Sequence, residues 1–82
     1  MITVRQMKAA RALLAWSQAD LAEASGVSEP TIARLESEDG ELGGRLETGQ
    51  KLVTALEKAG IEFIGAGGEG LGAKMKKRTK RA

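Results

Sequence analysis

Eighty-two residues, 41% of them apolar and 2% aromatic, are enough for one small domain with a thin core. The chain contains no Cys and no His, which removes disulfides, thiolate metal sites and the commonest acid–base and nucleophilic catalysts, and so argues against an enzyme. The formal charge of +2 is unevenly divided: "KMKKRTKRA" at 74–82 holds six basic residues, leaving seven basic and 11 acidic residues in 1–73, a net of −4.

From Thr3 to Ala15 the run "TVRQMKAARALLA" has no Gly or Pro, and Val4, Met7, Ala10 and Leu14 recur at helical spacing. Thr3 can cap this first helix. Ser17 can cap a second, with Asp20 three residues on as an approximate capping box and Leu21 and Ala22 turned inward. This helix is expected to end near Ala24, because Gly26 can take the positive φ that closes a helix. Val27 plugs the turn. Ser28 caps a third helix with Pro30 in its first turn, where a missing N–H costs little. Ile32 and Leu35 point inward there, leaving Glu29, Thr31, Ala33 and Arg34 largely outside.

The stretch "EDGELGGRLE" at 38–47 reads as a loop anchored by Leu42 or Leu46. Thr48 is expected to cap a fourth helix with Leu52, Val53, Leu56 and Ala59 buried and Gly60 as its stop. "IEFI" at 61–64 is β-branched and aromatic, a strand signal, and "GAGGEG" follows as a turn. Leu71, Ala73 and Met75 then alternate with Gly72, Lys74 and Lys76, which suggests a hairpin. No apolar run approaches the roughly 20 residues of a membrane span, and the amino terminus lacks a secretory core. The carboxylates show no metal-ligand spacing, so neither a metal nor a cofactor is expected. The Gly-rich 65–72 segment lacks the Gly-Lys-Ser/Thr ending of a phosphate loop.

Two short helices joined by a turn with a Gly, inside a bundle of four, make a helix-turn-helix. The chain resembles the Cro/C1-type, or XRE, helix-turn-helix regulators through Arg11, "WSQADLA" at 16–22, Gly26-Val27-Ser28, "TIARLE" at 31–36 and "TGQKLVTALEKAG" at 48–60. The resemblance implies an all-α, four-helix, lambda-repressor-like bundle with a short C-terminal strand or hairpin. It divides the chain into a DNA-binding domain at 1–60, a strand or hairpin dimerisation segment at 61–76 and a basic tail at 77–82.

It also implies roles. Gln18 matches a phosphate-contacting position, and Ser17 and Ser28 sit at helix starts whose N–H groups can face phosphate. Glu29, Pro30, Thr31, Ala33 and Arg34 match the exposed face of a recognition helix spanning 28–37. Arg34 suits guanine O6 and N7, Glu29 suits cytosine N4, and Thr31 or Ala33 suits a thymine methyl. Arg11 and Glu36 match a structural ion pair between the first and third helices. Lys74, Lys76, Lys77 and Arg78 would add sequence-independent affinity by displacing counterions from duplex DNA.

Each role has a plainer rival. Arg34 and Gln18 are also good helix formers, Glu29 also complements a helix dipole, and the basic end could be solvated chain. Trp16 reads as a core residue rather than a stacking platform. Ile61, Phe63 and Ile64 either pair two copies or complete the core of their own chain. The expected protein is a cytoplasmic DNA-binding regulator of prokaryotic or phage type, repressing as a homodimer on a palindromic operator, with room for a regulatory protein partner. The alternative is an antitoxin-like interaction module that uses the bundle without reading DNA.

Overall fold

Thr3 shows why the first helix begins where it does. In the computed structural model, which describes residues 2–38, 40, 42, 46–65 and 70–76, its Oγ1 accepts from the Gln6 N–H at 3.1 Å while Gln6 Oε1 accepts from the Thr3 N–H at 2.9 Å. This reciprocal box opens α1 (Val4–Leu14). The helix closes on Ala15 in the left-handed region, φ 58°, a conformation an L residue adopts at some cost. Ser17 and Asp20 open α2 (Gln18–Ser25) with a second complete box: Ser17 Oγ accepts from the Asp20 N–H at 3.0 Å, and Asp20 Oδ2 accepts from the Ser17 N–H at 2.9 Å. Gly26, φ 80°, ends α2 one residue beyond the expected stop. Ser28 caps α3 (Glu29–Glu36), with Pro30 in the first turn.

The fourth helix, α4 (Leu46–Lys58), starts earlier than Thr48, which lies inside it. Of the two loop anchors considered, Leu42 is buried and Leu46 is exposed. The loop is held because the Val4 N–H donates to Gly40 O at 2.8 Å and the Leu42 N–H to Ile2 O at 3.1 Å. In α4, Leu52 and Leu56 are buried together with Gly49 and Ala55, whereas Val53 and, just past the helix, Ala59 are half-buried. After Gly60, β1 (Ile61–Ile64) pairs antiparallel with β2 (Gly72–Met75), Ile61 opposite Met75 and Phe63 opposite Ala73. The turn expected at "GAGGEG" falls largely on residues 66–69, which lie outside the described residues.

One core joins all of these elements. Val4, Met7, Leu21, Ile32, Leu52, Leu56 and Ile61 are the largest of its fully buried members. Leu14, Trp16, Val53, Phe63 and Ala73 pack against them from the margin. Each large buried aliphatic contributes about 1.5–3 kcal/mol relative to exposure.

Gln6 is the buried polar residue that pattern reading passes over. Beyond its part in the cap, its Nε2 donates to Ile64 O at 2.8 Å and to Gly72 O at 3.0 Å, clamping both strands to α1. Burial of the amide costs nothing extra because every polar atom has a partner. Gln6→Leu keeps the volume and removes these bonds. It should cost roughly 1–3 kcal/mol in urea denaturation, with hairpin amides exchanging faster than those of α2 and α3. An unchanged midpoint would show that the clamp contributes little.

Candidate nucleic-acid interface

Helices of eight residues, such as α2 and α3, are not stable alone in water. They are set in place by packing and by a charged hub. Arg11 on α1 grips Glu36 at the end of α3 with two parallel bonds, Nε to Oε2 at 2.8 Å and Nη2 to Oε1 at 2.7 Å. Such a fork fixes orientation as well as distance. The third guanidinium arm, Nη1, donates to Trp16 O at 2.7 Å and pins the turn between α1 and α2. Gln18 Nε2 donates to Glu36 Oε1 at 2.9 Å, and Lys8 Nζ to the Glu36 carbonyl at 3.3 Å. Glu36 thus receives donors from α1 and α2 and holds three helices in one geometry.

The electrostatics follow from this crowding. Burial pushes the Glu36 carboxyl up, but hydrogen bonds from Arg11 and Gln18 and the charges of Arg11 and Lys8 outweigh it, leaving the group below the usual carboxylate range. The hydrogen bond to Glu36 raises Arg11, burial opposes it, and the carboxylate charge adds to the rise. The pair is therefore charged on both sides at neutral pH.

The hub leaves one face of α3 open. Glu29, Pro30, Ala33 and Arg34 are exposed, and Thr31 is half-buried. Ser28 Oγ donates to Thr31 Oγ1 at 2.8 Å and accepts from the Thr31 N–H at 3.3 Å, so the Ser28 hydroxyl is occupied while Thr31 keeps its own hydrogen to donate. Among the described residues none pairs with the Arg34 guanidinium. Ser17 is exposed at the start of α2, its Oγ accepting from Asp20.

Sequence reading assigned Gln18 outward, to phosphate, and did not foresee its bond to Glu36. The partner lies 18 residues away, and nothing local in the sequence signals it. The Gln18 amide retains one N–H beyond that bond. Lys74 and Lys76 are exposed in and just after β2, with Lys74 Nζ 4.0 Å from Glu62 Oε1. Lys77 and Arg78 lie outside the described residues. Of the three apolar residues of β1, Ile61 is buried in its own chain, Phe63 is half-buried against that core and Ile64 is exposed.

A capped helix, a glycine turn and a second capped helix with a polar outer face, held rigidly by a third, constitute a helix-turn-helix module of the DNA-binding class. A family model for the helix-turn-helix matches residues 7–59, well over half of the chain. The chain belongs to the Cro/C1-type, or XRE, family of DNA-binding helix-turn-helix regulators. No curated protein matches it significantly. Among the described residues no helix is long and apolar enough to cross a membrane.

Because the Glu36 carboxyl is lowered on folding, its stabilisation is complete above the unfolded value of about 4.3 and is lost as pH falls through the folded value. Glu36→Gln should accordingly flatten the acid limb of the stability curve. Arg11→Met or Glu36→Gln alone should cost roughly 2–4 kcal/mol, each leaving a charge without its partner. The Arg11 side chain is 20% exposed, which favours the lower end. A double-mutant cycle should give coupling above about 1 kcal/mol; coupling near zero would remove the hub.

Proposed function

We propose that this regulator reads a specific duplex sequence with the outer face of α3 in the major groove, and that it represses transcription as a homodimer on a near-palindromic operator. The observation that carries the reading is the exposed Arg34 guanidinium on a helix whose orientation Arg11 and Glu36 fix. A planar donor fork on a rigid helix suits bidentate bonding to guanine O6 and N7. Glu29, Pro30, Thr31 and Ala33 surround it with one acceptor, one donor and two small apolar surfaces. The N-termini of α2 and α3 offer N–H groups, with the Ser17 hydroxyl and the remaining Gln18 N–H, for the flanking phosphates.

The body works against its own approach to DNA, since residues 1–73 carry a net of −4. Lys74 and Lys76, continued by Lys77 and Arg78, supply the opposite charge, and we assign to them the sequence-independent part of the affinity. Such a regulator works in the cytoplasm, at the nucleoid or on phage DNA. The acidic body favours a second reading, an interaction module that binds a regulatory protein through the same bundle.

Selection from random duplex DNA decides between the two. Enrichment of a two-fold-related motif supports the operator reading, and no enrichment at low salt supports the module. Arg34→Ala should cost about 1–3 kcal/mol and relax preference at one base pair; an unchanged motif and affinity would remove the assignment.

The basic end calls for a separate cut. Removing residues 74–82 would take half of β2 with it, since Lys74 and Met75 pair with Glu62 and Ile61. Deletion should therefore begin after Lys76. It is expected to lower affinity for all duplexes and to flatten the dependence of log K on log salt, with sequence preference kept. An unchanged slope would show that these charges do not reach phosphate.

A further inference from the structure

The C-terminal end of α3 has a partner that sequence reading did not assign. Three of its last carbonyls are met locally. The Ser37 N–H is shared by Ala33, Arg34 and Leu35 O, the Ser37 hydroxyl donates to Arg34 O at 2.7 Å, and the Glu38 N–H donates to Leu35 O at 3.1 Å. The remaining one, Glu36 O, is met from outside: Lys8 Nζ donates to it at 3.3 Å from α1, 28 residues away. A cation here suits the negative end of the helix dipole. That bond takes one of the three ammonium hydrogens. Lys8 is exposed, and among the described residues no other acceptor meets its ammonium.

A recognition helix in the major groove sets its N-terminal residues against the base edges. The eight residues of α3 span roughly 12 Å, comparable with the width of the groove. With its first turns at the bases, the end at Glu36 rises to the rim, where a sugar–phosphate strand runs. By itself this end would repel that strand. It presents the negative pole of the helix, Glu38 is exposed beside it, and Asp39 and Glu41 follow in the sequence. Lys8 is the cation that the fold brings to this point.

We propose that Lys8 is a DNA phosphate contact: held to Glu36 O by one hydrogen, its ammonium offers the other two to a backbone phosphate at the rim of the groove beyond α3. This contact rests on the reading of α3 as the recognition helix, and it comes from a helix to which no DNA contact was assigned. The N–H groups at the starts of α2 and α3 and the Lys8 ammonium then hold phosphates at opposite ends of the recognition helix, which opposes tilting in the groove. A phosphate contact of this kind positions the protein without reading sequence.

The plainer role for Lys8 is to close α3 and nothing more, and the salt dependence of binding separates the two. Lys8→Met keeps the length of the side chain and removes its charge, whereas Lys8→Arg keeps the charge. Between about 50 and 200 mM salt, Lys8→Met should flatten the slope of log K on log salt by about 0.9 for each bound copy and lower affinity about fivefold, for selected and scrambled duplexes alike. Lys8→Arg should keep the wild-type slope. A folded Lys8→Met protein with the wild-type slope overturns the proposal, as does one that loses its preference between the two duplexes instead of affinity for both. If Lys8→Met loses the helical circular dichroism signal, acetylation of the wild type by acetic anhydride decides. Shielding of the Lys8 amine by added duplex supports the contact, and an equal rate with and without duplex overturns it. A wild type that binds no duplex at any of these salts removes the operator reading together with the contact, whereas an unchanged slope removes the contact alone.

Discussion

The forked contact between Arg11 and Glu36 is the constraint on which the rest of this domain depends. A thin core specifies that α1, α2 and α3 pack, but apolar contacts are tolerant of small rotations. A guanidinium and a carboxylate with two short bonds are not. By adding Trp16 O and the Gln18 amide to the same cluster, the chain fixes the turn before α2, the start of α2 and the end of α3 together. Recognition of a base edge tolerates little angular error, and a helix of eight residues has no length with which to resist it. Desolvation makes such a pair a weak source of net stability; its value here is orientation.

The same economy governs the surface. Caps at Thr3, Ser17 and Ser28 satisfy helix ends with side chains a few residues away, so little of the core is needed to stabilise each start. The cost is electrostatic. Asp20 and Glu29 lie in the first turns of the two helices whose ends would meet phosphate, where they suit the helix dipole and oppose the ligand. The body is therefore built for its own folding first, and the positive charge is concentrated beyond it, at the carboxyl end.

What could be read from the sequence follows the range of the interactions concerned. The three caps, the left-handed Gly26 and the inward Ile32 and Leu35 depend on neighbours within four residues, and pattern alone finds them. The start of α4 was misplaced because Thr48 has the chemistry of a cap but lies inside a helix that begins at the exposed Leu46. Gln6 was half legible: Thr3 and a Gln three residues on spell a capping box, whereas its bonds to Ile64 and Gly72 cross 58 and 66 residues. Gln18 shows the same limit, its hydrogen-bond partner being visible only once α2 and α3 are packed. In β1 the apolar content was plain, but alternation alone could not say which of Ile61 and Ile64 turns inward. The core decides that by taking Ile61.

The Gln6 clamp also bears on how the chain assembles during synthesis. The amide that helps to cap the first helix is buried beneath a hairpin made 58 to 66 residues later, so its donors lack their full set of native acceptors until Gly72 has been added. A nascent chain can close the ring from Arg11 to Glu36 after 25 residues of separation, but the closure from Gln6 to Gly72 needs 66. Contacts of such long sequence separation form late and slowly. The first helix is thus among the last parts to be fully satisfied, and any product cut short before β2 leaves the Gln6 amide to water instead of to the strand carbonyls that cover it.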